Sequence, residues 1–114
     1  MATSTIKLQT NIKTGALNPA SNVTIASSRV VQTGRVISID FYASIPIAST
    51  VGWVTIGSTS GVTTPVSTSR YVFTDNSHDI SINGRIDSNG KIEVYVATPN
   101  LNTTAVSGAL SYIS

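Results

Sequence analysis

Between residues 80 and 97 the chain changes character at every step. Ile80, Ile82, Gly84 and Ile86 alternate with Ser81, Asn83, Arg85 and Asp87; after Ser88-Asn89-Gly90, Ile92, Val94 and Val96 alternate with Glu93, Tyr95 and Ala97. A period of two belongs to a strand with one buried face, not to a helix. The Asn-Gly step between the two runs offers the positive φ that a tight hairpin needs. The segment is therefore predicted to be a β-hairpin, and the rest of the fold has to accommodate it.

The remaining sequence is written in the same alphabet. It holds 13 Ile, 12 Val and 16 Thr against 4 Leu and 1 Glu. β-Branched side chains are stiff at χ1 and suit a pleated surface, and straight-chain helix formers are scarce. Further extended runs are expected at 4–12, 22–26, 29–43, 51–56, 70–73 and 105–113, with Thr33-Gly34 dividing the longest by a turn or bulge. In that longest run Val31, Thr33, Arg35, Ile37, Ile39 and Phe41 are expected on one face. Pro46 keeps Ile45-Pro46-Ile47 out of a central strand. Residues 57–69, rich in Gly, Ser and Thr, read as a long loop of the kind that often carries function. The expectation is one all-β domain over residues 1–114, an antiparallel jelly-roll or Greek-key sandwich or barrel of about eight strands.

Charge and composition narrow the function classes. Lys7, Lys13, Arg29, Arg35, Arg70, Arg85 and Lys91 are scattered without a basic run, so nucleic acid is not an expected partner. With no cysteine there is no disulfide framework or thiolate metal site. No apolar run approaches the ~18 residues of a membrane helix, and no membrane insertion is expected. The first five residues lack the charged and apolar regions of a signal peptide, which points to export by another route or within an assembly.

Catalytic constellations are thin. His78 is the only imidazole; Asp75 and Asp79 flank it within one local turn, and no Gly-x-Ser-x-Gly elbow is present. Asp40, Asp75, Asp79, Asp87 and Glu93 are explained by turn chemistry and solvated faces rather than by a carboxylate pair across a cleft. Asp75-x-x-His78-Asp79 matches no ordered metal-binding motif. Asn22-Val23-Thr24 and Asn102-Thr103-Thr104 match the glycosylation sequon, a frequent pattern in a chain this rich in Ser and Thr. A non-enzymatic domain without a cofactor is expected.

Saccharide binding asks for less: an aromatic face to stack on, and short polar side chains to hold hydroxyls. Trp53, Tyr42, Tyr71 and Tyr95 are the available platforms, and the densest polar group is Arg70, Asp75, Asn76, His78 and Asp79. The candidate site is therefore Trp53, Arg70, Tyr71, Asp75, Asn76, His78 and Asp79. The competing reading of Trp53 is a core anchor beside Val51 and Val54.

The C-terminal part has a cadence of its own: Arg70-Tyr71-Val72-Phe73, Ile80-Ser81-Ile82-Asn83, Asp87-Ser88-Asn89-Gly90-Lys91-Ile92-Glu93-Val94-Tyr95, then Ser107-Gly108-Ala109-Leu110-Ser111-Tyr112-Ile113. Together with Thr33-Gly34-Arg35-Val36-Ile37-Ser38-Ile39, it resembles the C-terminal receptor-binding head domains of tail proteins from phages of Gram-positive bacteria, of the lactococcal siphophage type, over residues 30–114. The resemblance implies a compact β-sandwich head, a homotrimer, other tail or baseplate proteins as neighbours, a place on the virion outside the cell, and attachment to host cell-wall polysaccharide or a teichoic-acid-like glycan. The chain departs from the full-length pattern in having no collagen-like or coiled-coil stem and no shoulder domain. No binding residue of that family aligns with a position here, so the candidate site rests on composition and loop placement. Apolar residues on both strand faces, as in Val30-Val31 and Val36-Ile37, argue separately for oligomerisation. The rival readings are a carbohydrate-binding module of a larger enzyme and a purely structural virion or fibre-tip protein.

Overall fold

The computed structural model describes residues 12–99 and 102–114. Nine antiparallel strands form one sheet: β1 (Ile12–Thr14), β2 (Ala16–Pro19), β3 (Thr24–Thr33), β4 (Val36–Ser44), β5 (Gly52–Ser60), β6 (Ser69–Asp75), β7 (Ile80–Ile86), β8 (Lys91–Val96) and β9 (Ala105–Ile113). The spatial order is β1-β3-β4-β9-β6-β7-β8-β5-β2. β1 and β2 are a single extended run broken at Gly15; its first half pairs with β3 and its second half with β5. That run closes the sheet into a barrel. Gly15 suits the corner because a Cβ there would strike the Ser60 carbonyl oxygen. Closure is incomplete along one seam, where β6 and β9 pair only at Thr74–Ser107 and Asp75–Val106. The result is a jelly-roll-like all-β fold with long crossovers between β4 and β5 and between β5 and β6.

The interior follows from alternation. Ile37, Ile39, Phe41 and Ala43 of β4, Ile86 of β7, Ile92, Val94 and Val96 of β8, and Val106, Leu110 and Tyr112 of β9 all point inward. Phe73 lies at the centre, edge-on to Phe41 with ring centroids 5.2 Å apart. Its ring fills the space above Gly84 and Gly108, where any side chain would collide with it. Burial of this apolar set supplies the main driving force for the fold.

Several expectations are refined. The segments at 22–26 and 29–33 are one strand, β3, bent by a bulge between Ile25 and Ser27. The division at Thr33-Gly34 is a tight turn, with Gly34 at φ 62°. That turn reverses the parity of the faces. Val30 and Gln32, not Val31 and Thr33, therefore share the interior with Ile37, Ile39 and Phe41. The 57–69 loop is shorter than expected, because β5 runs on to Ser60 and β6 begins at Ser69. The remainder is also tied down: Tyr112 donates to the Thr63 carbonyl (2.6 Å), and Gln32 accepts from the Thr63 amide (2.8 Å). The run expected at 4–12 lies outside the described residues except for Ile12, as do Asn100 and Leu101 of the loop expected after β8.

The hairpin of β7 and β8 forms with a different turn. Only Gly90 of the Asn-Gly pair has positive φ, at 80°. The Asp87 carboxylate accepts from the Asn89 and Lys91 amides (2.9 Å each), and the Gly90 amide donates to the Asp87 carbonyl. This is a type I turn followed by a left-handed glycine, the usual three-residue hairpin loop. Its register places Arg85 directly opposite Glu93.

Candidate functional site

The barrel register decides which outward side chains meet. On β5 Trp53 and Thr55 face out, on β8 Glu93 and Tyr95, on β7 Asn83 and Arg85, and on β6 Arg70 and Val72. Trp53 sits opposite Tyr95, Thr55 opposite Glu93, Glu93 opposite Arg85, and Arg85 opposite Arg70. Four strands thus carry two adjacent rows, one ionic and one mostly aromatic and apolar.

Within those rows the contacts are tight. The Arg85 Nε lies 2.8 Å from Glu93 Oε1, and Lys91 Nζ lies 3.9 Å from Glu93 Oε2. Glu93 is only 6% exposed, and these two cations cover its carboxylate. The Arg85 guanidinium carbon also sits 3.9 Å from the centroid of the Trp53 ring, and that of Arg70 sits 5.6 Å away. Tyr95 meets the indole edge-on at 5.2 Å. Trp53 is half-buried on the outside of the barrel rather than in the core. Trp53, Arg70, Asn83 and Tyr95 line an open surface cavity of about 260 Å³. Among the described residues Arg70 has no acidic partner, in contrast to Arg85.

The residues singled out from sequence fall into three places. Trp53 and Arg70 belong to this outer face. Tyr71, the next residue on β6, turns to the other side. Its ring stacks on Phe73, and its hydroxyl donates to the Ser111 carbonyl across the β6–β9 seam (2.9 Å). It lines a separate groove with Ser38, Asp40 and Leu110. Burial, with a smaller contribution from Tyr71, raises the Tyr112 hydroxyl above its ordinary pKa.

Asp75, Asn76, His78 and Asp79 form the turn between β6 and β7. The side chains of Asp75, Asn76 and His78 serve the turn itself. Asp75, 2% exposed, accepts from the Ser77 amide (3.0 Å) and the Thr103 hydroxyl (2.9 Å), and its Oδ2 lies 2.9 Å from His78 Nδ1. The Asn76 side chain donates to Ser107 Oγ (2.8 Å), and its backbone amide donates to the Ala105 carbonyl. Ser77 Oγ accepts from the Thr104 and Ala105 amides. Asp79 holds φ at 58°, a conformation that Asp tolerates better than most residues. The turn is a clamp on the start of β9.

Sequence reasoning left Asn83, Arg85, Lys91, Glu93 and Tyr95 out of the site. The signal was available in the hairpin. Once Asp87 is set against Lys91, counting back by twos pairs Arg85 with Glu93 and brings Asn83 level with Tyr95. Trp53 then needed only its place beside β8, which tertiary pairing alone supplies. Among the described residues no three of His, Cys, Asp and Glu gather into a metal-binding group. No family model and no curated protein matches the chain.

Proposed function

We propose that this domain is a non-catalytic saccharide-binding head whose binding face is the outer surface of β5, β8, β7 and β6. One observation carries the reading. The single Trp of the chain lies outside the core, braced edge-on by Tyr95, in a cavity it shares with a guanidinium and a carboxamide. An indole ring offers the flat apolar surface on which sugar C–H groups stack, and planar hydrogen-bonding side chains beside it fix the orientation of hydroxyls. A rigid barrel wall presents these groups with little ordering cost on binding.

The finer reading places the head on a phage tail, attached to host cell-wall saccharide as a homotrimer. The cadence of residues 30–114 and the jelly-roll-like fold support it. Three weak sites acting together would give useful avidity. Analytical ultracentrifugation tests the assembly: a species of three chains, each 11.9 kDa, is expected at micromolar concentration, and a lone 11.9 kDa species contradicts it. Binding itself is tested by pull-down on Gram-positive cell walls before and after removal of wall polysaccharide. Retention only on intact walls supports the reading, and equal retention on both overturns it.

A further inference from the structure

We infer that the Trp53 cavity selects saccharides bearing an anionic group, a carboxylate or a phosphate, with Arg70 as the partner of the charge. The inference rests on the saccharide-binding reading and goes beyond it in ligand class.

Three observations converge. First, Arg70 and Arg85 stand directly opposite each other on neighbouring strands, an arrangement that is unfavourable for like charges. Glu93 answers only one of them: its carboxylate lies 2.8 Å from Arg85, with Lys91 at 3.9 Å on its other oxygen. The face therefore holds Arg70, Arg85 and Lys91 against Glu93, an excess of positive charge that a bound anion would relieve. Second, the unanswered cation is the one that lines the cavity, whereas Arg85 is held at Glu93 and over the indole. Third, Asn83 and Tyr95 line the same cavity, and among the described residues neither side chain has a hydrogen-bonding partner. A guanidinium, an amide N–H and a phenolic O–H are all donors to an oxyanion, and the Arg70 fork suits a planar carboxylate or a tetrahedral phosphate. A sugar stacked on Trp53 would bring its acidic substituent beside these donors. The basic residues elsewhere in the chain are spread out, so the charge is local to one sugar-sized cavity rather than a track for a nucleic-acid backbone.

Trp53 is the only tryptophan, so emission excited at the red edge of the aromatic absorption band, where the four tyrosines do not absorb, reads this cavity. The experiment titrates the full chain with polygalacturonate, poly(glycerol phosphate), neutral galactan and poly(dT), alongside an array of matched acidic and neutral glycans. Expected is a saturable Trp53 response to acidic glycans at least about tenfold tighter than to neutral ones. It should weaken between 0.15 and 1 M salt, fall to the neutral level in Arg70→Gln and recover in part in Arg70→Lys. Polygalacturonate against poly(glycerol phosphate) separates carboxylate from phosphate as the recognised group. Equal affinity for acidic and neutral glycans, with both lost on the array in Trp53→Ala, overturns the anionic selectivity and leaves the saccharide reading standing. Undiminished binding of acidic glycans by Arg70→Gln overturns the role of Arg70. Silence across the array, or poly(dT) bound more tightly than any glycan, overturns the inference and the saccharide reading together.

Discussion

The turn between β6 and β7 and the outer face of β5, β8, β7 and β6 make an instructive pair. The turn concentrates more polar chemistry per residue than any other stretch, with two carboxylates, an amide and an imidazole in five positions. Yet Asp75 is buried and takes up three partners, and Asn76 and Ser77 spend their side chains on the chain leading into β9. The outer face draws its groups from four neighbouring strands and, among the described residues, leaves one guanidinium without an acidic partner beside an indole. Polar groups that satisfy one another hold a fold together, whereas polar groups that converge on a cavity without protein partners are available to a ligand.

The sharpest way to break this contrast is to empty the centre of the turn. Asp75→Ala leaves the buried Thr103 hydroxyl without its acceptor and removes the partner of the Ser77 amide and the His78 ring, and should destabilise the domain by about 2 kcal/mol. Chemical denaturation measures the loss. Glycan binding per folded molecule should be unchanged; a selective loss of binding would return the turn to the candidate site.

Gly90→Val attacks the hairpin that sets the register of the face. The residue needs positive φ, and a side chain there would meet Thr59 Oγ1. A loss of about 2 kcal/mol is expected from denaturation midpoints. Coincident midpoints for variant and parent would refute the turn geometry.

Arg85→Ala should cost less, about 1 kcal/mol, through the uncovered Glu93 carboxylate and the lost stack on Trp53. Because the stack ends, the Trp53 emission should shift as well. Unchanged emission would show that the guanidinium does not sit on the indole in solution.

How far the sequence revealed all this differs between the two regions. Alternation at 80–97 gave the hairpin, because period two is a local property of one strand with one buried face. The faces of β3 and β4 were misassigned in part, since a tight turn at Gly34 inverts parity and alternation alone does not reveal turn length. In the candidate site, Trp53 and Arg70 were legible as an aromatic platform and a cation. Their neighbourhood was not, since β5 and β6 come together only by flanking the β7–β8 hairpin. The burial of Asp75 was illegible for a related reason: its Thr103 partner is 28 residues away and leaves no trace in the local pattern.

The most direct test of the contrast is a glycan-binding titration of two single variants, Arg70→Ala and His78→Ala, beside the parent. Arg70 is an exposed side chain, and its removal should change stability by less than about 0.5 kcal/mol. If the outer face is the binding surface, Arg70→Ala weakens binding by about tenfold or more while His78→Ala stays within about twofold of the parent. The reverse pattern, with His78→Ala losing binding and Arg70→Ala retaining it, would place the ligand on the β6–β7 turn and contradict the account.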